Sequence, residues 1–359
     1  MDDREVAATT RRVWWMHSMR SVLTLAPGVA LAILTLEGVS RWYYDVPTVR
    51  DPVLGFVVPA GRTVRSRIEG AGVAHYEDRG VRRSVDLGAR TGAQILCLGD
   101  SFTEALQVSD DEVYTTLIER SLKRDGVPTA VLNLDRSGTS VADYIADSKA
   151  HKDRFAATWT VVEVDARDFT TDAWATAKSH FRQACPTCAI EVVKTGPRPE
   201  GPARRAYTWL TNRSALIGFT FFSWQTHLDV SRDGAARAKG GAASATSGRI
   251  GTFPVREELR MLADAYDGRL TVLLLGSFDP ACPERETDLE TAIRRAAGEF
   301  GISLARTRDE YAFMAERGVA PYGFPNTSLN SGHMNGAGHA AAARVLRKEL
   351  LRLHGEGQL

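Results

Sequence analysis

The feature that most restricts the fold of this chain is a repeated alternation of short apolar runs with helix-patterned stretches, beginning at Ile95-Leu96-Cys97-Leu98. That run ends in Gly99-Asp100-Ser101, and Val113, Leu117, Ile118 and Leu122 follow at helical spacing, so the segment reads as strand, turn and helix. The pattern recurs with strand-like Ala130 to Leu134, a helix after Ser140, and strand-like Thr160 to Val164. Further on come strand-like Leu270 to Leu275, a helix from about Glu284 to Phe300, a strand at Ile302 to Ala305, and a last helix from about Ala337 to Leu353. Such an order predicts an α/β fold whose mainly parallel sheet is covered by helices on both faces. Sites in sheets of this kind lie at the carboxyl ends of the strands.

With 359 residues, 43% of them hydrophobic, the chain can bury one large core, with room for an insertion and a tail. Its 45 Lys and Arg nearly balance 44 Asp and Glu, so there is no global field to hold nucleic acid, and that class of partner is excluded. Cys97, Cys185, Cys188 and Cys282 are too few and too scattered for a disulfide framework. The Cys185-Pro-Thr-Cys188 pair lacks the strand-then-helix setting of a redox motif and lacks a second ligand pair for zinc. It reads as a local disulfide or as two buried thiols.

The N-terminus carries an uncharged run from Ser21 to Leu36, flanked by Arg20 and Glu37. These residues span roughly 24 Å as a helix against a hydrocarbon core of about 30 Å, and Gly38 and Val39 with a snorkelling Arg20 make up the difference. Trp14 and Trp15 on one side, and Trp42, Tyr43 and Tyr44 on the other, have the placing of interfacial aromatic belts. Arg4, Arg11, Arg12 and Arg20 outnumber Arg41 and Arg50, which keeps the N-terminus cytoplasmic and the rest of the chain outside the inner membrane. The expected organisation is a tail at 1–20, a single-pass anchor at 21–40, a juxtamembrane lead-in at 41–90 with one or two strands, and an α/β domain at 91–359. Within that domain an insertion at about 181–254 holds a strand-like piece at Ala189 to Val193 and an aromatic patch, Phe219, Phe221, Phe222 and Trp224. A Gly/Ala/Ser tract follows from Gly234 to Gly251. The patch reads first as ordinary core, with a substrate lid or a second membrane contact as alternatives.

Chemistry concentrates in two segments. Gly99-Asp100-Ser101-Phe102-Thr103-Glu104 places a serine between strand and helix, where it is either a nucleophile or a simple helix cap. A serine hydroxyl needs a base, and His333 in the Gly-rich stretch Asn330-Ser331-Gly332-His333-Met334-Asn335-Gly336-Ala337-Gly338-His339 is the candidate, delivered by a loop before the last helix. His339 reads as structural.

The GDSFTE segment after a strand, paired with GHMNGAGH before a C-terminal helix, resembles the SGNH (GDSL-like) hydrolases. Asn133-Leu134-Asp135-Arg136-Ser137-Gly138 is similar to the second block of that family, and Asp51 to Gly55 and Val108 to Glu112 look like its membrane-anchored bacterial members. The resemblance covers about Asp51 to Leu353, with the insertion poorly matched. It implies a flavodoxin-like three-layer sandwich and serine-dependent ester hydrolysis or O-acyl transfer. Ser101 would be the nucleophile, His333 the general base, and the N–H groups of Ser101 and Gly138 the oxyanion donors. No metal or organic cofactor is called for. The substrate would be an acylated small molecule, glycan or lipid.

Two positions depart from the family pattern. Asp165-Ala166-Arg167-Asp168-Phe169 puts Arg167 where an oxyanion-binding Asn is usual, so Arg167 is a substitute donor, or the donor comes from elsewhere, or activity is lost and the chain is a catalytically silent binding or assembly domain. Asn330, three residues before His333, stands where many members carry the Asp that orients the histidine, which makes it the candidate orienter of a dyad.

Overall fold

The computed structural model describes residues 25–51, 54–77, 80–82, 84, 92–169, 179–183, 189–194, 201–224, 255–279, 281–282 and 285–359. Residues 1–24, the whole Gly/Ala/Ser tract, and Cys185 with Cys188 lie outside that set.

In chain order, α1 covers 25–43 and runs into β1 (Tyr44–Asp45), followed by β2 (Val49–Asp51), β3 (Gly55–Val57), β4 (Thr63–Ser66) and β5 (Gly72–His75). The domain proper opens with β6 (Ala93–Gly99), α2 (Ser101–Glu104), α3 (Tyr114–Arg124), β7 (Thr129–Asp135), α4 (Val141–Phe155) and β8 (Trp159–Asp165). The insertion supplies β9 (Ser179–Gln183), β10 (Ile190–Lys194), α5 (Pro202–Thr211) and α6 (215–224). After it come α7 (Val255–Ala265), β11 (Leu270–Leu275), α8 (Asp288–Glu299), β12 (Ser303–Arg306), α9 (Arg308–Glu316), β13 (Tyr322–Gly323), β14 (Leu329–Met334) and α10 (Gly336–Gly355).

The main sheet has five parallel strands in the order β12-β11-β8-β6-β7. Renumbered within the sheet this is the 2-1-3-4-5 order of flavodoxin-like folds, as expected, and the order reverses at β6, directly before Ser101. The alternation of side chains along β6 explains the two cores. Ile95 and Cys97 face one hydrophobic cluster with α3, α9 and α10, whereas Leu96 and Leu98 face the other with α4, α7 and α8. Every residue of β8 and β11 is buried, which is the signature of strands covered on both sides.

Four expectations need correction. The lead-in is more ordered than one or two strands: β1, β4 and β5 form an antiparallel sheet, and β2 pairs with β3. The segment carrying His333 is not a loop. It is β14, paired antiparallel with β13, and Asn335 then caps α10 by accepting from the N–H groups of Ala337 and Gly338. The aromatic patch is also not core, since Phe219, Phe221 and Phe222 are only half-buried and Trp224 is exposed. Phe219 and Phe222 pack instead on Tyr43 and Tyr44. The helix expected from Glu284 begins at Asp288, because Thr287 and Glu290 form a capping box there.

No helix among the described residues is long and apolar enough to cross a membrane. The first four residues of the expected span, 21–24, lie outside those residues.

Candidate active site

The nucleophile turn is built from inside the sheet. At the end of β6 the Gly99 backbone lies against Thr103 Oγ1 and Glu163 Oε2, leaving no room for a side chain at that position. Asp100 is the cap of α2, accepting from the Phe102 N–H at 2.9 Å. Ser101 is therefore the first helical residue and is free of the capping role that would have explained it away. Glu163 lies beneath the turn, accepting from the Asp100 N–H at 3.3 Å and from Thr103 Oγ1 at 3.0 Å. Burial first, and then its neighbours Asp100, Asp168 and Asp165, push the Glu163 carboxyl well above the usual range, so it stays protonated as a structural hydrogen-bonding group.

Two arginines fix the surroundings of Ser101. Arg82, fully buried, donates from Nε to Asp110 at 2.8 Å and from Nη1 and Nη2 to the carbonyls of Glu104, Ala105 and Val108, clamping the chain as it leaves α2. Arg136 pairs with Asp147 at 3.1 Å, its N–H donates to the Gly99 carbonyl at 3.2 Å, and Thr139 Oγ1 bonds the same carbonyl. The Arg136 to Thr139 turn is thereby tied to the residue two before the nucleophile. Gly138 occupies φ +74°, a conformation that favours glycine. Among the described residues, the N–H groups of Ser101 and Gly138 have no protein acceptor, so both donors are available to a developing oxyanion. Glu104, at the end of α2, accepts from Ser137 Oγ, and burial holds its carboxyl above the usual range despite that bond.

The base comes from the other side. The His333 ring packs against Phe102, the residue after Ser101, at a centroid distance of 5.6 Å, and α2 contacts β14. Its partner is Glu69, which sequence reading missed. Glu69 Oε2 lies 2.5 Å from His333 Nδ1, and Oε1 accepts the His333 backbone N–H at 2.9 Å. Burial alone would raise the Glu69 carboxyl, but the hydrogen bonds and charge of His333 bring it below the usual range, so it is ionised at neutral pH. The pairing assigns the Nδ1 proton to the Glu69 side and leaves Nε2 as the ring's basic nitrogen.

Asn330 does not orient the histidine. It is exposed, its backbone takes φ +64° in the irregular stretch of β14, and His333 Nδ1 is already held by Glu69. Glu69 sits on the Arg67 to Gly70 turn between β4 and β5, and Asn326 staples that turn by donating to the Arg67 and Gly70 carbonyls and accepting from the Gly70 N–H. Gly332, at φ +81°, is the complementary signal: a Cβ there would collide with Glu69 Oε1. A glycine beside a candidate histidine and a Glu-Gly pair in the lead-in were the only traces in the sequence.

Arg167 lies in the 3-10 turn Ala166–Phe169 after β8, the carboxyl end of a central strand, and its side chain is outside the description. His339 behaves as expected of a structural residue. It is fully buried, stacked on Tyr114 at 6.0 Å, and held neutral by burial, which pulls it down to about 3. Among the described residues no group of three or more His, Cys, Asp and Glu is placed to hold a metal ion.

No family profile matches the sequence, and no curated protein matches it. Solved structures do. The protein TesA is 15% identical, with 72% of this chain and 99% of that one covered and a TM-score of 0.38. The esterase EstA from Pseudoalteromonas sp. is 11% identical, covering 73% and 98% at a TM-score of 0.38. The acetyl-xylooligosaccharide esterase Axe2 from Geobacillus is 13% identical, covering 73% and 96% at a TM-score of 0.38. The chain's own topology is more decisive, with Ser101 at the end of the strand where sheet order reverses and His333 between the last sheet strand and the C-terminal helix. The architecture is a flavodoxin-like α/β sandwich. The lead-in is part of the site, since it supplies both Glu69 and Arg82.

Proposed function

We propose that the chain is a serine esterase or O-acyltransferase acting on an acylated glycan, lipid or small molecule outside the inner membrane, to which α1 and the residues before it anchor it. The observation that carries the catalytic reading is the Glu69 to His333 pairing beside the Ser101 turn. A binding domain has no use for a carboxylate that fixes one tautomer of a half-buried histidine next to an uncapped serine.

In this reading Ser101 Oγ attacks the acyl carbonyl while His333 Nε2 takes its proton, and Glu69 stabilises the imidazolium through Nδ1. The carbonyl oxygen becomes an oxyanion held by the Ser101 and Gly138 N–H groups. His333 then returns the proton to the leaving alcohol. In the second half a water, or a hydroxyl of an acceptor, loses its proton to His333, attacks the acyl-serine and releases Ser101. Arg167 would add a charged third donor where an Asn is usual; one such donor is worth about 100- to 1000-fold in rate.

The alternative, a silent SGNH-fold binding domain, is favoured only by that same Arg167. The detergent-solubilised chain should hydrolyse a short-chain aryl acetate, and Ser101→Ala should abolish the activity. If wild type and Ser101→Ala are equally inactive while Arg167→Asn gains activity, the binding reading replaces this one.

A further inference from the structure

The surface of α1 changes character abruptly. Residues 25–36 are all exposed, with the large apolar side chains from Leu25 to Val39 each 52–69% accessible, whereas Ser40 is buried. At 100° per residue these apolar positions fall on every side of the helix, a pattern suited to hydrocarbon and not to water. The bare part therefore ends near Glu37.

At that same level the tip of the α5–α6 hairpin, residues 212–214, is fastened to α1. Glu37 accepts from Ser214 Oγ and from the N–H groups of Ala215 and Leu216, capping α6 from another helix. Arg41 donates to the Arg213 carbonyl at 2.7 Å, and Asn212 and Thr48 exchange two hydrogen bonds. Farther along α6, Phe219 meets Tyr43 and Phe222 stacks on Tyr44, so the hairpin rises from its tip along the packed part of α1. The tip leaves Trp209, Leu210 and Ile217 exposed, with the Arg213 guanidinium 4.2 Å over the Trp209 ring. Tryptophan and arginine beside small apolar anchors match the headgroup layer, where an aromatic body sits against acyl chains and a cation reaches phosphate.

We propose that the α5–α6 hairpin tip is a second lipid-contact surface, seating Trp209, Leu210 and Ile217 in the headgroup layer of the membrane that holds α1. This rests on the anchored reading above. Two points of attachment, one spanning and one lying on the surface, fix the tilt of the SGNH domain and so the height of the Ser101 mouth above the bilayer.

The test uses the full chain in phosphatidylcholine/phosphatidylglycerol nanodiscs, with Cys185, Cys188 and Cys282 replaced by Ser and one environment-sensitive fluorophore placed at Val29→Cys, Leu210→Cys or Val319→Cys. Spin-labelled lipids then report depth. The expected result is deep quenching at Val29→Cys, several-fold stronger quenching by headgroup-labelled than by chain-labelled lipid at Leu210→Cys, and none at Val319→Cys. If Leu210→Cys behaves like Val319→Cys while Val29→Cys is quenched, the anchor stands and the hairpin proposal falls. If Val29→Cys is also unquenched, both fall. Shielding of Leu210→Cys that disappears at one chain per disc, without lipid quenching, would assign the tip to a second copy of the chain and overturn the proposal.

Discussion

The two halves of the site are held in different ways. The nucleophile half is local: β6, the Gly99 turn and α2 are contiguous in sequence, and the sheet and Glu163 support them from below. The base half is assembled from chain segments 264 residues apart, with His333 on a two-stranded ribbon and Glu69 on a turn of the lead-in. A local constellation shows itself as a motif. A non-local one leaves only the residues that tolerate it, here Gly332 and the Glu69-Gly70 pair.

The comparison can be broken first at the acid. Glu69→Gln keeps the shape of the side chain but loses the charge that stabilises the imidazolium, and loss of the orienting carboxylate in such triads costs up to about 10,000-fold in kcat. We expect a fall of that order in aryl acetate turnover, with a lower thermal midpoint at neutral pH. The sign of the pH dependence follows from the Glu69 carboxyl lying below its ordinary value of 4.5. Its contribution is complete above that value and is lost as pH falls through the lower folded one, so Glu69→Gln and wild type should converge in strongly acidic solution.

The nucleophile half should break through stability. Arg82→Met leaves Asp110 buried without its guanidinium and takes one donor from each of three carbonyls, and breaking a buried pair in this way costs about 3–5 kcal/mol. Denaturant unfolding should show that loss. Gly332→Ala comes next, since it combines a positive φ with a collision against Glu69. A strained position of this kind costs on the order of 1–3 kcal/mol, and a reduced kcat should accompany the lower midpoint because the acid is displaced. Asn330→Ala should do least, on the order of 1 kcal/mol in stability because Asn tolerates φ +64° better than Ala, with turnover near wild type.

The sequence carried most of the fold for the same physical reason that it carried Ser101. Leu270 to Leu275 and Thr160 to Val164 are strands buried on both faces, and a continuous apolar run bounded by turns is enough to place them. The lead-in escaped because β1 to β5 are two to four residues each and gain their order by pairing with one another and packing on the domain. Asn330 was misread because the offset of three residues presumes a turn. Tyr322 pairs with Met334 and Gly323 with Leu329, so Asn330 to His333 bulge out of the ribbon and the carboxylate reaches His333 from Glu69 on a distant turn.

The central claim, that Glu69 and not Asn330 completes the catalytic group, is tested most directly by the rate at which a fluorophosphonate modifies Ser101, followed by intact-mass spectrometry. Wild type and Asn330→Ala should be labelled at the same rate, Glu69→Gln and His333→Ala at least about 100-fold more slowly, in line with the size of general-base effects, and Ser101→Ala not at all. Labelling of Glu69→Gln at the wild-type rate, with Asn330→Ala slowed instead, would contradict the account.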